Sequence, residues 1–283
     1  MKTIGIVGAG TMGSGIALVV AASGKNAVLH DVSGEALEKA TGRINADLSK
    51  WVSKGKLTPA QSEAAVQRIR TTLSFEPFSA CEIVIEAAIE RLDSKKDIFQ
   101  RLESSCPAET ILATNTSSLS VTEIASSVKH PERVSGMHFF NPPHLMQLVE
   151  IIQGHSTSQK TIERTIELAR ELGKVPVVAK DTPGFIVNRV ARPFYGEALR
   201  LLGEGVASVE EIDRIVRLEG GFKMGPFELM DLIGIDINFA VTQSIYEQTF
   251  GEARYRPHII QKNMVNAGLL GRKTKKGFYR YDT

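Results

Sequence analysis

The chain has 283 residues, 42% hydrophobic and 23% charged, which is enough apolar content for a sizeable core and excludes a largely disordered chain. Its 24 Gly and 11 Pro follow no fixed period, which excludes a collagen-like or fibrous protein. Lys and Arg number 34 against 32 Asp and Glu, a net +2 with no block of five like charges, and this argues against a nucleic-acid binder.

The first half alternates between strand-like and helical patterns. Thr3–Val7 is a short β-branched run, Gly8-Ala9-Gly10-Thr11-Met12-Gly13 follows, and Ser14–Ser23 reads as an apolar helix. Ala27–His30 is strand-like again and ends on Asp31, 18 residues after Gly13. A GxGxxG turn between a strand and a helix, with an acid closing the next strand, is the pattern of a dinucleotide-binding unit. Gly8 permits the tight turn, Gly10 lets a pyrophosphate approach the backbone, and Gly13 lets the helix lie close to the strand. The helix N-terminus offers N–H groups to phosphate, and Asp31 accepts bonds from ribose hydroxyls. Asp31 is followed by Val32-Ser33 without an Arg, which favours NAD over NADP. The bland alternative is a Gly-rich turn with no ligand.

Glu35–Lys54 and Pro59–Arg70 both read as helices, the second opened by the capping box Thr58-Pro59-Ala60-Gln61. Two helices between consecutive strands exceed what a crossover requires, so a helical-hairpin arm standing off the sheet is expected. Glu82–Glu86, Thr110–Ala113, Arg133–Phe139 and Leu148–Ile152 supply further strands. Short apolar runs separated by helices predict an α/β fold with a mostly parallel, doubly wound sheet of the Rossmann type.

His138 ends a strand-like run and sits in Met137-His138-Phe139-Phe140-Asn141-Pro142-Pro143. The prolines force a turn, and Leu145–Ile152 resumes an extended pattern, so the two strands bring His138 and Glu150 side by side. Imidazole suits a base for an alcohol proton, and a carboxylate on its other nitrogen fixes the tautomer. The alternative places Glu150 on the sheet surface.

After Lys180 the pattern turns helical: Phe185–Leu202, Val209–Leu218 behind the box Ser208-x-x-Glu211, Phe227–Phe250 with a break at Gly234, and Pro257–Ala267. This predicts an NAD-binding domain over 1–183 and an all-helical domain over 184–283. The second is expected to complete its core against another copy, giving a homodimer. Arg272–Lys276 is either a solvated tail or a phosphate contact. No apolar stretch reaches the roughly 20 residues that a bilayer requires. Cys81 and Cys106 show no metal-type spacing, so no metal is expected. Two lone thiols and an N-terminus that enters a strand at once lead us to expect a cytoplasmic protein.

Together, Gly8–Gly13, Asn115-Thr116-Ser117-Ser118, His138–Pro142, Glu150, Asp181–Arg189 and Met224–Glu228 resemble the L-3-hydroxyacyl-CoA dehydrogenases, end to end and in the same order. Within that family the chain resembles the short single-function bacterial type that oxidises 3-hydroxybutyryl-CoA. The resemblance implies an NAD-dependent oxidation of (S)-3-hydroxyacyl-CoA, with His138 as base and Glu150 as its orienting partner. It places Ser117, Asn141 and Asn188 around the substrate's C3 oxygen and thioester, with Ser117 and Asn141 also at the cofactor. Glu90 and Lys95 approach the nicotinamide ribose, and Lys273 lies near the same cleft. The arm is implied to hold the CoA nucleotide through Lys50 and Lys54. The family pattern has a small hydroxyl residue where this chain has Asp47, and an acid there is unfavourable near phosphate. Rival readings are a sugar-acid dehydrogenase with the same His–Glu pair and a non-catalytic nucleotide-binding relative. A lysine-dependent β-hydroxyacid dehydrogenase would carry its Lys in the Gly184–Arg189 stretch, which has none.

Overall fold

The computed structural model describes residues 2–281. The chain divides into two compact units, Met1–Thr182 and Pro183–Thr283.

The first unit runs β1 (Thr3–Val7), α1 (Thr11–Ala22), β2 (Asn26–His30), α2 (Gly34–Ser53), α3 (Pro59–Gln67), β3 (Ile69–Thr72), β4 (Ile83–Glu86), α4 (Leu92–Ser105), β5 (Ile111–Thr114), α5 (Val121–Ala125), β6 (Val134–Phe139), β7 (Leu148–Gln153), α6 (Gln159–Glu171) and β8 (Val175–Lys180). Its strands form one eight-stranded sheet in the order β3-β2-β1-β4-β5-β6-β7-β8. All neighbours are parallel except β6 and β7, which the short Pro-Pro connection makes antiparallel. The order turns outward on both sides of the β1/β4 pair, the switch point at which open α/β sheets bind ligands.

Helix α1 is buried along Gly13–Ala21 because it is covered twice, by the sheet and by the α2–α3 hairpin. The hairpin therefore does not stand free. Leu37, Ala40, Ile44, Leu48 and Ala65 turn its inner face into the same core as Ile16, Val20 and Leu29. Each of the Leu and Ile side chains contributes about 1.5–3 kcal/mol on burial. Thr58 and Gln61 form the expected capping box at the start of α3.

Two strands escaped the sequence reading, β3 and β8. β3 is four residues of mixed polarity that follow α3 after a single residue, so its beginning reads as the end of that helix. β8 contains Pro176, which demotes a run as a strand, but β8 is the sheet's edge, where a missing N–H is tolerated.

The second unit contains α7 (Val187–Gly203), α8 (Val209–Leu218), α9 (Pro226–Ile233), α10 (Ile235–Gln248) and α11 (Ile259–Asn266). Tyr195, Leu199, Ile212, Phe227, Met230 and Ile235 form its core. Gly234 at φ +101° separates α9 from α10, a conformation that L side chains rarely adopt. Asp213 is fully buried and accepts the amides of Phe227 and Glu228, both at 2.9 Å, so it caps α9 from a distance. Among the described residues no helix is long and apolar enough to cross a membrane.

Candidate active site

The glycine-rich turn leaves β1 at Val7. Gly8 adopts φ +101°, and a Cβ there would fall 2.6 Å from the Ala87 carbonyl oxygen. A Cβ at Gly13 would fall 1.7 Å from the Gly8 carbonyl oxygen, so neither position admits a side chain. Gly10 differs. A Cβ there meets nothing within 4 Å, and Gly10 caps α1 without a side-chain hydrogen bond. The first N–H groups of α1 therefore face a cavity of about 720 Å³ that Gly8, Gly10, Asp31, Ala87 and Ala88 help to line. Ala9 sits buried in the turn, while Thr11 and Met12 form part of the cavity wall. Asp31 is fixed by the amides of Ala9 at 2.8 Å and Ser33 at 3.0 Å, and its two oxygens retain acceptor capacity for a diol. This donor set and open space fit NAD, with the pyrophosphate on the α1 N-terminus and a ribose on Asp31.

At the carboxyl end of β6, antiparallel register pairs His138 with Glu150 of β7. Both are buried, at 4% and 1% exposure, and His138 Nδ1 lies 2.8 Å from Glu150 Oε2. The Phe140 ring packs on the imidazole at 4.5 Å. Asn115 Oδ1 accepts the amide of Phe139 at 2.8 Å, which ties the loop after β5 to the residue next to His138. The same loop is gathered by Glu90. Its Oε1 accepts the Thr116 hydroxyl at 2.5 Å, the Ser117 amide at 3.0 Å and the Ser118 hydroxyl at 3.2 Å. Burial pushes the Glu90 carboxyl up, but Lys95 and the bonds from Thr116 and Ser117 outweigh it and hold it below its ordinary value.

The profile of the 3-hydroxyacyl-CoA dehydrogenase NAD-binding domain matches residues 3–182, and that of the C-terminal domain of the same enzymes matches 184–281. The chain belongs to the 3-hydroxyacyl-CoA dehydrogenase family. It is 43% identical to the 3-hydroxybutyryl-CoA dehydrogenase of Clostridioides difficile over 99% of both chains. It is 47% identical to the 3-hydroxyadipyl-CoA dehydrogenase of Escherichia coli over 99% of its own length but only 59% of that protein's. A crystal structure of the (S)-3-hydroxybutyryl-CoA dehydrogenase of Ralstonia eutropha superposes with a TM-score of 0.96 at 42% identity, covering 100% of both chains.

Within this family member the remaining expected site residues fall in four places. Lys95 is 1% exposed, with Nζ 2.7 Å from Glu86 and 3.2 Å from Glu90, so its ammonium is turned inward beneath Glu90. On the hairpin, Lys54 is exposed at the C-cap of α2, while Lys50 pairs with Asp47 at 3.1 Å. Asn141 is exposed just after β6. In the second unit, Asn188 stands in the first turn of α7, and Lys273 Nζ lies 2.6 Å from Asp236.

Three residues of this dehydrogenase were not foreseen. Arg43 of α2 donates to the Ala9 carbonyl at 2.6 Å and so buttresses the glycine-rich turn, and no local signal distinguishes it from other surface arginines. Arg101 of α4 lines the cofactor cavity. Glu86 ends the apolar run EIVIE. A charge at the carboxyl end of a buried strand, next to a switch point, was the available signal.

Proposed function

We propose that the chain catalyses the reversible NAD-dependent oxidation of (S)-3-hydroxyacyl-CoA to 3-oxoacyl-CoA, with the 3-hydroxybutyryl thioester as the first substrate to test. The observation that carries this reading is the buried His138–Glu150 pair at the carboxyl end of β6, in the same unit as the dinucleotide turn. NAD⁺, when bound, supplies the acceptor for the hydride that leaves C3. With Glu150 on Nδ1, the neutral imidazole of His138 carries its proton there and offers the Nε2 lone pair to the 3-hydroxyl proton. As that proton arrives, the Glu150 carboxylate stabilises the imidazolium, and in the reverse direction His138 returns the proton to the developing alkoxide.

Ser117, Asn141 and Asn188 are assigned to the C3 oxygen and the thioester carbonyl. Glu90, Lys95 and Lys273 are assigned to the nicotinamide side, and Lys50 and Lys54 to the CoA phosphates. Residues 1–183 act as the cofactor domain. Residues 184–283 join two copies, a reading supported by the many exposed large apolar side chains of that unit, among them Val190, Ile215, Leu218, Phe222 and Phe250. Two buried free thiols support a cytoplasmic setting.

The test is NADH oxidation with acetoacetyl-CoA, longer 3-oxoacyl-CoAs and 3-oxoadipyl-CoA in parallel, with free 3-oxo acids as controls. Turnover of a CoA thioester is expected. Turnover of the free acids alone, or of none, refutes the proposal.

A further inference from the structure

Glu86 is the last residue of β4, in register with Val7 of β1 and Thr114 of β5, and is fully buried. A carboxylate in such a place is costly unless its oxygens are hydrogen-bonded or paired. Both oxygens are engaged. Oε1 accepts the Ala88 amide and the Lys95 ammonium, each at 2.7 Å, and Oε2 accepts the Thr114 hydroxyl at 2.7 Å.

The three partners lead to two parts of the site. Ala88 lies with Ala87 and Ile89 in the wall of the dinucleotide cavity. Lys95 also pairs with Glu90 at 3.2 Å, and Glu90 holds the Ser117 amide. Thr114 Oγ1 accepts the Thr116 amide at 3.2 Å, which begins the turn of the same loop. A buried ion pair adds little stability, because desolvation offsets its attraction. Geometry is what this one fixes.

We infer that Glu86 is a positioning residue: from beneath the site it holds Ala88, Lys95 and Thr114 together, and through them the cofactor cavity wall and the Ser117 loop. It is buried under these groups and acts only through them. The effect on the cofactor follows from the cavity itself, whereas the effect on substrate through Ser117 rests on the acyl-CoA reading above.

Glu86→Gln keeps the shape and removes the charge that holds Lys95. Fluorescence titration with NADH, with no thioester present, should show affinity weakened roughly fivefold or more, as expected for loss of a charge-assisted contact. Thermal unfolding should change by only a few degrees. Glu86→Asp, which keeps the charge on a shorter stem, should recover part of the affinity. Glu86→Gln combined with Lys95→Met should cost less than the product of the two single losses, since both remove one ion pair. Folded Glu86→Gln with NADH affinity within about twofold of wild type, the scale of ordinary mutational scatter, overturns the inference. If Glu86→Gln does not fold, the titration of Thr114→Val, which removes the Oε2 contact and leaves the carboxylate, decides by the same criterion. Failure here is distinct from failure of the substrate assignment, which wild-type turnover of acetoacetyl-CoA tests alone.

Discussion

Asp31 at the end of β2 accepts the amide of Ala9, the second residue of the glycine-rich turn, at 2.8 Å. The acid and the phosphate-binding turn are thus one rigid unit, and the carboxylate is held at the rim of the cavity. A 2′-phosphate placed there meets a fixed negative charge. NADH should be preferred over NADPH by about 10- to 1,000-fold in kcat/KM, the range expected when a phosphate faces an acid instead of a diol. Asp31→Ser with Val32→Arg should narrow that gap. Equal kcat/KM for the two cofactors in the wild type would contradict the assignment.

Lys95 and Glu90 make a pH prediction with a definite sign. Burial raises the Glu90 carboxyl, and Lys95 with the loop hydrogen bonds lowers it further than burial raises it. The folded value lies below the unfolded one, so the interactions of ionised Glu90 are fully present above the unfolded value and are lost as pH falls through the folded one. Lys95→Met removes the ammonium and leaves the burial. The acid loss of NADH affinity should therefore begin at higher pH in this variant, measured by titration from about pH 7 down to about pH 3, across the ordinary carboxylate range. Superimposable acid limbs would show that Lys95 does not control Glu90.

Lys50 is occupied by Asp47 at 3.1 Å, whereas Lys54 at the end of the same helix is exposed. If the hairpin meets the CoA phosphates, Lys54→Ala should raise KM for acetoacetyl-CoA and leave KM for NADH alone. Salt should weaken the effect, since exposed charges are screened over about 8–10 Å at 0.1–0.15 M. Asp47→Ser should act oppositely, lowering the thioester KM by releasing Lys50 and removing an acid. An unchanged KM in both variants at low salt would return this helix face to plain solvation.

What was legible in the sequence follows from how each feature is encoded. The Gly8–Gly13 turn with Asp31 is local and depends on backbone space, so residue type alone reveals it. Helix α8 was read with the ends it has, Val209 and Leu218, because Ser208 and Glu211 form a capping box that marks its start. The juxtaposition of His138 and Glu150 was readable because two strands around a Pro-Pro turn have few possible registers. Features that rest on long-range contact were hidden. β3 gains its strand identity only from pairing with β2, and although the resemblance implied a place for Lys95 near the nicotinamide ribose, nothing in the sequence showed its ion pair with the buried Glu86. Arg43 likewise meets Ala9 across 34 residues of chain, a distance no periodicity reports.

The His138–Glu150 pair carries the largest consequence for activity. Oxidation needs a neutral imidazole and reduction needs an imidazolium, so the forward rate should rise with pH while the reverse rate falls. His138→Ala should lower kcat by about 10²–10⁴-fold, the usual worth of a positioned acid or base. NADH affinity should be nearly intact, because the glycine-rich turn and Asp31 hold the cofactor. Glu150→Gln preserves shape but cannot stabilise the imidazolium, and its amide admits the wrong ring tautomer. It should slow kcat by orders of magnitude with KM changed only a few-fold. The double variant should be little worse than His138→Ala, because both changes disable the same proton transfer. Retention of more than about a tenth of wild-type kcat in His138→Ala lies outside what loss of a general base allows. The proton would then have to leave by a route that does not pass through β6.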